Sequence, residues 1–233
     1  MEAPRPDVRL SVIMPVYNER ETVMEVIRRV KAVDISKEII VVDDASTDGT
    51  REILKSVEHD SIRLICNQTN QGKGSSIRTA LKFAVGDLVI IQDGDLELDP
   101  AEYPKLVEPI LEGRAQIVYG SRLLAPTSPS INPLFILGGT FLTWLTNLLY
   151  GSKLTDEATC YKVLPLELLR DIDVRAKRFD FCPEVTAKVL KRGFTITEVP
   201  ISYFPRTVDG GKKIRWRDGL AAAWTLITYR FID

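Results

Sequence analysis

The chain has 233 residues, 45% hydrophobic and 27% charged, with a formal net charge of −1; this suffices for one large core or two small ones and lacks the basic excess of a nucleic-acid-binding domain. Its three cysteines, Cys66, Cys160 and Cys182, are far apart and form no CxxC pair, so reduced thiols in a cytoplasmic protein are expected rather than a disulfide framework. The single histidine, His59 in SVEHDS, rules out a two-histidine metal site and is expected in a solvent-facing loop.

The N-terminal stretch MEAPRPDVRLS has no apolar signal core. RLSVIMP then reads as a buried strand ending at Pro15. NERETVMEVIRRVKAV reads as a helix capped by Asn18, with Glu21 three residues on and Val23, Val26, Ile27, Val30 and Val33 on one face. EIIVVDD is a second strand and TREILKSV a second helix. IRLIC is a third strand, followed by the glycine-rich NQTNQGKG and the helix SSIRTALKFA; DLVIIQ is a fourth strand. Alternation of apolar strands with helices predicts a mostly parallel sheet with helices on both faces. Ligands bind such sheets beyond the carboxyl ends of the strands, where PVYNE, DDASTDGT and QDGDLELDP all fall.

Further on, QIVYGSR reads as a fifth strand running into a loop. Residues 123–152 carry no charge. Within them, PLFILGGTFLTWLTNLLYG places Leu134, Leu137, Phe141, Leu145 and Leu148 on one helical face, with Thr140, Thr143, Thr146 and Asn147 largely opposite. With two glycines and several polar groups it makes a poor bilayer span. TDEATCYKVLP leads to a helix around PEVTAKVLKRG and the strand TITEVPISYF. Residues 203–217 hold Arg206, Lys212, Lys213, Arg215 and Arg217 against Asp209, and GLAAAWTLITYRFID closes as a helix.

Several segments carry chemistry. NQGKGSS fails as a Walker loop, having Asn67 where glycine is needed and Gly74 after the lysine. It fails as a dinucleotide fingerprint at Ile77, so it reads as a turn opening a helix, with Lys73 near the crevice rim. Turn chemistry explains STDGT, with Ser46 or Thr47 capping the next helix, but not two acids, Asp43 and Asp44, at a buried strand exit. In QDGDLELDP, Asp93, Asp95 and Glu97 crowd together and would raise one another's pKa unless a cation neutralised them. Carboxylate oxygens suit Mg²⁺ or Mn²⁺, and such sites typically use one or two carboxylates alongside substrate phosphates. Asp99 and Pro100 look like a helix start. The basic stretch PRTVDGGKKIRWR, with its glycine pair, is expected to close over a bound anion.

Together SVIMPVYNE, IIVVDDASTDGT, NQGKGSSIRTAL, QDGDLELDP, YGSR, TDEATCYKVL and PRTVDGGKKIRWRDGL resemble the family 2 glycosyltransferases, and more narrowly the branch making dolichyl- or polyprenyl-phosphate sugars. The resemblance runs from about Leu10 to Phe231. It implies a GT-A fold over one domain, residues 1–233, with a nucleotide-binding half (1–120) and an acceptor-side half (121–233). It also implies a divalent metal, Mg²⁺ or Mn²⁺, and inverting transfer of a hexose from a GDP-mannose or UDP-glucose type donor to dolichyl or polyprenyl phosphate.

Carried over by position, Pro15, Tyr17 and Glu19 border the nucleotide and Asp44 meets its base or ribose. Asp93 and Asp95 form the DxD, with Glu97 near the metal. Arg122 faces the acceptor phosphate, while Arg206 with Lys212 or Lys213 holds the donor diphosphate. Relatives commonly carry an arginine just ahead of the LTWLTN segment; here Gly139 and Thr140 stand there. For a carbohydrate hydroxyl acceptor a carboxylate base would be required, and Asp156 or Glu157 would supply it. A non-catalytic nucleotide-sugar binding module is a further alternative, and a sugar nucleotidyltransferase is disfavoured by PVYNERET after the first strand. A lipid acceptor implies a peripheral position on the cytoplasmic face of a membrane; the same apolar faces would otherwise serve a core or a homodimer.

Overall fold

The computed structural model describes residues 8–57, 62–125, 133–206 and 216–232. Chain order is β1 (Leu10–Val16), α1 (Val23–Ala32), β2 (Lys37–Asp43), α2 (Thr50–Val57), β3 (Ile62–Cys66), α3 (Lys73–Leu81), β4 (Leu88–Ile91), a 3₁₀ turn (Pro100–Glu102), α4 (Tyr103–Leu111), β5 (Ile117–Ser121), α5 (Pro133–Tyr150), β6 (Lys162–Pro165), α6 (Leu166–Asp171), α7 (Phe181–Lys191), β7 (Ile196–Pro200) and α8 (Trp216–Phe231). The strands form one seven-stranded sheet in the order β3-β2-β1-β4-β6-β5-β7. Neighbours are parallel except at β6, which runs antiparallel to both β4 and β5.

Period-two alternation sorts the strand side chains onto two faces. Leu10, Val12, Met14, Ile39, Val41, Leu88 and Ile90 point to one side, against α1, α2 and α4. Ile13, Ile40, Val42, Val89 and Ile91 point to the other, against α3, α6 and α7. Strands covered on both faces are why these segments read as unbroken apolar runs. Strand β6 and helix α6, within TDEATCYKVLPLELLRD, were not foreseen, because four residues between polar neighbours carry too little periodicity.

Two expected helix starts move. Helix α1 begins at Val23, not after Asn18. Asn18 instead adopts φ +49, its backbone N–H donating to Ser46 Oγ (2.9 Å) and its Oδ1 accepting from Thr47 N (2.8 Å), so it ties the loops after β1 and β2 together. Helix α2 is capped by Asp48, whose Oδ1 accepts from Thr50 N (3.0 Å), rather than by Ser46 or Thr47. The 3₁₀ turn opens as expected, with Asp99 Oδ1 accepting from Ala101 N.

Helix α5 turns its threonine side inward and its apolar side largely outward. Thr143 and Thr146 are buried, while Leu137, Phe141, Trp144 and Leu148 are exposed. The inner face is polar because it has polar work to do: Thr143 Oγ1 accepts from Glu157 N (3.0 Å) and Asn147 Oδ1 accepts from Leu154 N (2.9 Å). Only Leu145 and its neighbours pack inward, in a small cluster with Ala187 of α7 and Leu226 of α8.

The glycine loop before α3 has a packing reason. Gly72 sits at φ +93, ψ +162, a region essentially confined to glycine, and a Cβ there would lie 2.5 Å from Lys177 O. Gly72→Ala is therefore expected to cost about 1–3 kcal/mol from the backbone alone, with the Lys177 clash in addition. Urea denaturation checks this, and an unchanged midpoint would refute it.

Candidate active site

The carboxyl ends of β1, β2 and β4 place Pro15, Tyr17 and Glu19, then Asp43 and Asp44, then residues 92–97 along one edge of the sheet. Pro15 and Tyr17 are half-buried there and Glu19 is buried. The two aspartates after β2 are consumed internally. Asp43 Oδ2 accepts from Arg51 Nε at 2.6 Å. Asp44 Oδ1 accepts from Asn67 Nδ2 (2.7 Å) and Gln71 N (2.9 Å), and its Oδ2 from Gly72 N (2.7 Å). The Asp44 carboxylate thus shapes the glycine loop.

Past β4 the chain is fixed by a residue that the motif pattern did not single out. Gln92 is fully buried, and its Oε1 accepts from both Tyr103 OH and Tyr161 OH at 2.7 Å. Two tyrosines from distant elements therefore lock the strand end just before the acidic turn. Only their spatial convergence shows it, since neither YPKL nor CYKV is distinctive in sequence.

Each acid of the turn then meets a cation or its backbone. Asp93 Oδ1 accepts from Lys73 Nζ (2.5 Å), which also lies 3.0 Å from Cys160 Sγ. Lys73 is therefore deep in the site rather than at the crevice rim. Burial would raise the Asp93 carboxyl, but Lys73 and the Cys160 thiol together pull it below the usual range. Asp95 Oδ1 accepts from Glu97 N (3.0 Å) and Oδ2 from Arg206 Nη2 (2.7 Å). Arg206 also forms a two-pronged pair with Glu19, Nη1 to Oε2 at 2.8 Å and Nη2 to Oε1 at 3.1 Å. Burial, reinforced by Asp93, pushes the Asp95 carboxyl up to about 7 against the pull of Arg206.

Glu97 was expected beside the metal; in this structure its carboxylate and carbonyl engage residues 203–206. Its Oε1 accepts from Arg206 N (2.8 Å), its Oε2 from Tyr203 OH (3.2 Å), and its carbonyl from Phe204 N (2.9 Å). Glu97 is the staple that lays residues 203–206 across the turn. Among the described residues no group of three His, Cys, Asp or Glu side chains is arranged to hold a metal ion. Of the expected set, Asp93 and Asp95 meet cationic side chains, and Glu97 meets the Arg206 backbone and the Tyr203 hydroxyl. Lys212, Lys213 and His59 lie outside the described residues.

Past β5, Arg122 clamps Asp156: Nε to Oδ2 and Nη2 to Oδ1 at 2.7 Å, with Arg122 N to Oδ2 at 3.0 Å. The guanidinium also lies 5.0 Å over the Tyr203 ring. Glu198 of β7, unremarked in the sequence, accepts from Thr155 N (2.7 Å) and Asp156 N (2.9 Å) and so holds this loop. Burial would raise the Asp156 carboxyl, but Arg122 outweighs it and holds it below the ordinary range. Three donors on one carboxylate make a poor proton acceptor, which disfavours Asp156 as a general base. Glu157 is fully buried, and that burial pushes its carboxyl up.

The Asp95 shift carries a pH signature. The folded state holds a proton here that the unfolded chain has already released. The resulting stabilisation is complete below the ordinary aspartate range and is lost as pH rises through about 7. Asp95→Asn should remove a slope of up to about 1.4 kcal/mol per pH unit across that window. Urea denaturation of metal-free protein reads it; a wild-type-minus-variant difference that stays constant with pH would refute it.

Comparison with known proteins matches this arrangement. The model of "Glycosyl transferase family 2" covers residues 11–172, which include β1 to β6, the acidic turn and the Arg122–Asp156 clamp. The undecaprenyl-phosphate mannosyltransferase of Micrococcus luteus is 27% identical over 93% of this chain and 96% of its own length. The glycosyltransferase AglJ of Haloferax volcanii is 27% identical over 87% of this chain, which spans 65% of that relative's length. Glucosyl-3-phosphoglycerate synthase of Mycobacterium tuberculosis, solved with Mn²⁺, uridine diphosphate and glucosyl-3-phosphoglycerate, superposes with a TM-score of 0.74 at 21% identity, over 97% of this chain and 81% of that one. The sheet is thus a GT-A fold, and the chain belongs to glycosyl transferase family 2.

Proposed function

We propose that the protein is an inverting hexosyltransferase that moves a sugar from a nucleoside-diphosphate donor, of the GDP-mannose or UDP-glucose type, to a polyprenyl or dolichyl phosphate, with Mg²⁺ or Mn²⁺ as cofactor. The observation that carries this reading is the charge at the sheet edge. Among the described residues, Glu19, Asp93, Asp95 and Glu97 are met by two cations, Lys73 and Arg206, an excess of two negative charges when all are ionised. Such an excess fits a divalent cation. Asp95, with Asp93 beside it, would hold the ion, and the donor set of hard carboxylate oxygens suits Mg²⁺ or Mn²⁺. Bound there, the ion would supply electrostatic stabilisation of the departing diphosphate.

The chain's own residues do the rest. The glycine loop shaped by Asp44, with Pro15, Tyr17 and Glu19, borders the nucleotide in the half formed by residues 1–120. Arg206, with Lys212 and Lys213, neutralises the diphosphate. An acceptor phosphate is already an anion at neutral pH, so attack on the anomeric carbon needs alignment more than proton removal. Arg122, held rigid by Asp156 and Tyr203, is placed to align it from the half formed by residues 121–233. The low basicity of Asp156 favours this acceptor over a sugar hydroxyl. The undecaprenyl phosphate in the name of the Micrococcus luteus relative points the same way.

A lipid acceptor calls for a bilayer surface, and α5 with α8 supply apolar faces for one. All three tryptophans of the chain lie on these helices, Trp144, Trp216 and Trp224 being 56%, 72% and 70% exposed. Phe141, Leu148, Leu220 and Phe231 are exposed beside them, with the cations Arg217 and Arg230, while Asp218 turns toward Arg178. Leaving such side chains in water forgoes roughly 1.5–3 kcal/mol each. Tryptophan and cations suit the anionic headgroup region. Among the described residues no helix is long and apolar enough to cross a membrane, so the contact would be interfacial.

The test of the reaction is sugar transfer to polyprenyl phosphate from labelled GDP-mannose, UDP-glucose and UDP-N-acetylglucosamine with Mn²⁺. Asp95→Ala or EDTA is expected to lower the rate more than about 100-fold. Full activity in either case would sink the metal role, and no transfer from any donor would sink the activity. For the surface, wild type should float with anionic liposomes and the Trp144→Ser/Trp224→Ser double variant should float several-fold less. Wild type that stays wholly in the soluble fraction would instead favour packing between copies.

A further inference from the structure

Arg206 stands where two needs collide. Its Nη2 is shared, 2.7 Å from Asp95 Oδ2 and 3.1 Å from Glu19 Oε1, while Nη1 serves Glu19 alone at 2.8 Å. Asp95 Oδ1 is taken by Glu97 N, so Oδ2 is the oxygen a cation would need, and the guanidinium already covers it. We propose that Arg206 occupies the cation seat on Asp95 until a nucleoside diphosphate arrives, so that ion and donor load together, and that Glu19 is the positioning residue that keeps Arg206 aimed at the diphosphate afterwards. This rests on the donor reading above.

Three features support the exchange. A divalent ion and a guanidinium on one carboxylate repel within a partly dehydrated site, and only an added polyanion resolves the conflict. The Arg206 Nε is buried with no acceptor among the described residues, so the guanidinium retains an unused N–H that a diphosphate oxygen would satisfy. The movement required is also short. Glu97 pins the Arg206 backbone, and Glu19 is itself fixed: its N–H donates to Thr50 Oγ1 (3.0 Å), and its Oε2 lies 3.1 Å from Thr22 Oγ1, whose one proton is shared between it and Gly94 O (2.8 Å). Arg206 can therefore release Asp95 by pivoting on its Glu19 pair without leaving the site.

Electron paramagnetic resonance of free Mn²⁺ reads the seat directly, in the absence of turnover. Wild-type protein without nucleotide is expected to bind Mn²⁺ weakly, and GDP or UDP to tighten it at least tenfold beyond the binding of Mn²⁺ to nucleotide alone. Arg206→Gln is expected to bind Mn²⁺ without nucleotide at least tenfold more tightly than wild type and to lose most of the nucleotide enhancement. Arg206→Lys, which cannot span both carboxylates, should fall between them; thermal melting of each variant establishes that it is folded. Glu19→Gln should raise the donor KM several-fold more than it lowers kcat, without tightening nucleotide-free Mn²⁺ binding. Equal nucleotide-free Mn²⁺ affinity in wild type and both Arg206 variants would overturn the shared seat while leaving the donor reading intact. No Mn²⁺ uptake by any of the proteins with either nucleotide would overturn both.

Discussion

A cluster of like charges buried at the end of a sheet determines the design of this molecule. Four carboxylates from two loops converge where β1 and β4 end, and two cations from elsewhere in the chain are drawn in to meet them. Unpaired, each acid would be costly to bury. Paired, they form a compact ionic cluster at the sheet edge. The surrounding structure can be understood as support for it: Gln92 and its two tyrosines fix the strand end, Glu97 staples residues 203–206 above it, and Asp44 holds the glycine loop beside it.

The two halves of the crevice are built on different logic. Around Arg206 one cation is shared between two carboxylates, Glu19 and Asp95. Around Arg122 a two-pronged pair with Asp156 is backed by Glu198 and Tyr203. In the proposed transfer, the shared partner suits a leaving group that must be released, and the rigid one suits a nucleophile that must be aligned. Helix α5 spans both tasks, with its threonine and asparagine side holding the acceptor loop and its aromatic side facing outward.

Much of this was legible in the chain. Apolar runs alternating with helices, and the order of polar strand exits, pointed to a mostly parallel sheet and the edge where chemistry gathers, and DGD stood out because a turn rarely needs it. The failures have physical causes. Lys73 looked peripheral because loops usually are. The polar inner face of α5 was not foreseen, because hydrogen bonds from its threonine and asparagine side chains to a neighbouring loop leave no mark in the pattern. Gln92, Tyr103, Tyr161 and Glu198 carry no local signal at all; their role exists only once four distant segments meet.

The reversed direction of β6 has a consequence for how the crevice is assembled. Parallel strands deliver to that rim only the loops that leave them, so each contributes an exit. A strand laid the other way is entered from the same rim, and the residues leading into it, from Thr155 through Tyr161, arrive there as an approach instead. One inverted strand therefore lets the cleft be walled by lead-in as well as run-out, so that one wall can vary in its lead-in while the exits of the parallel strands stay as they are.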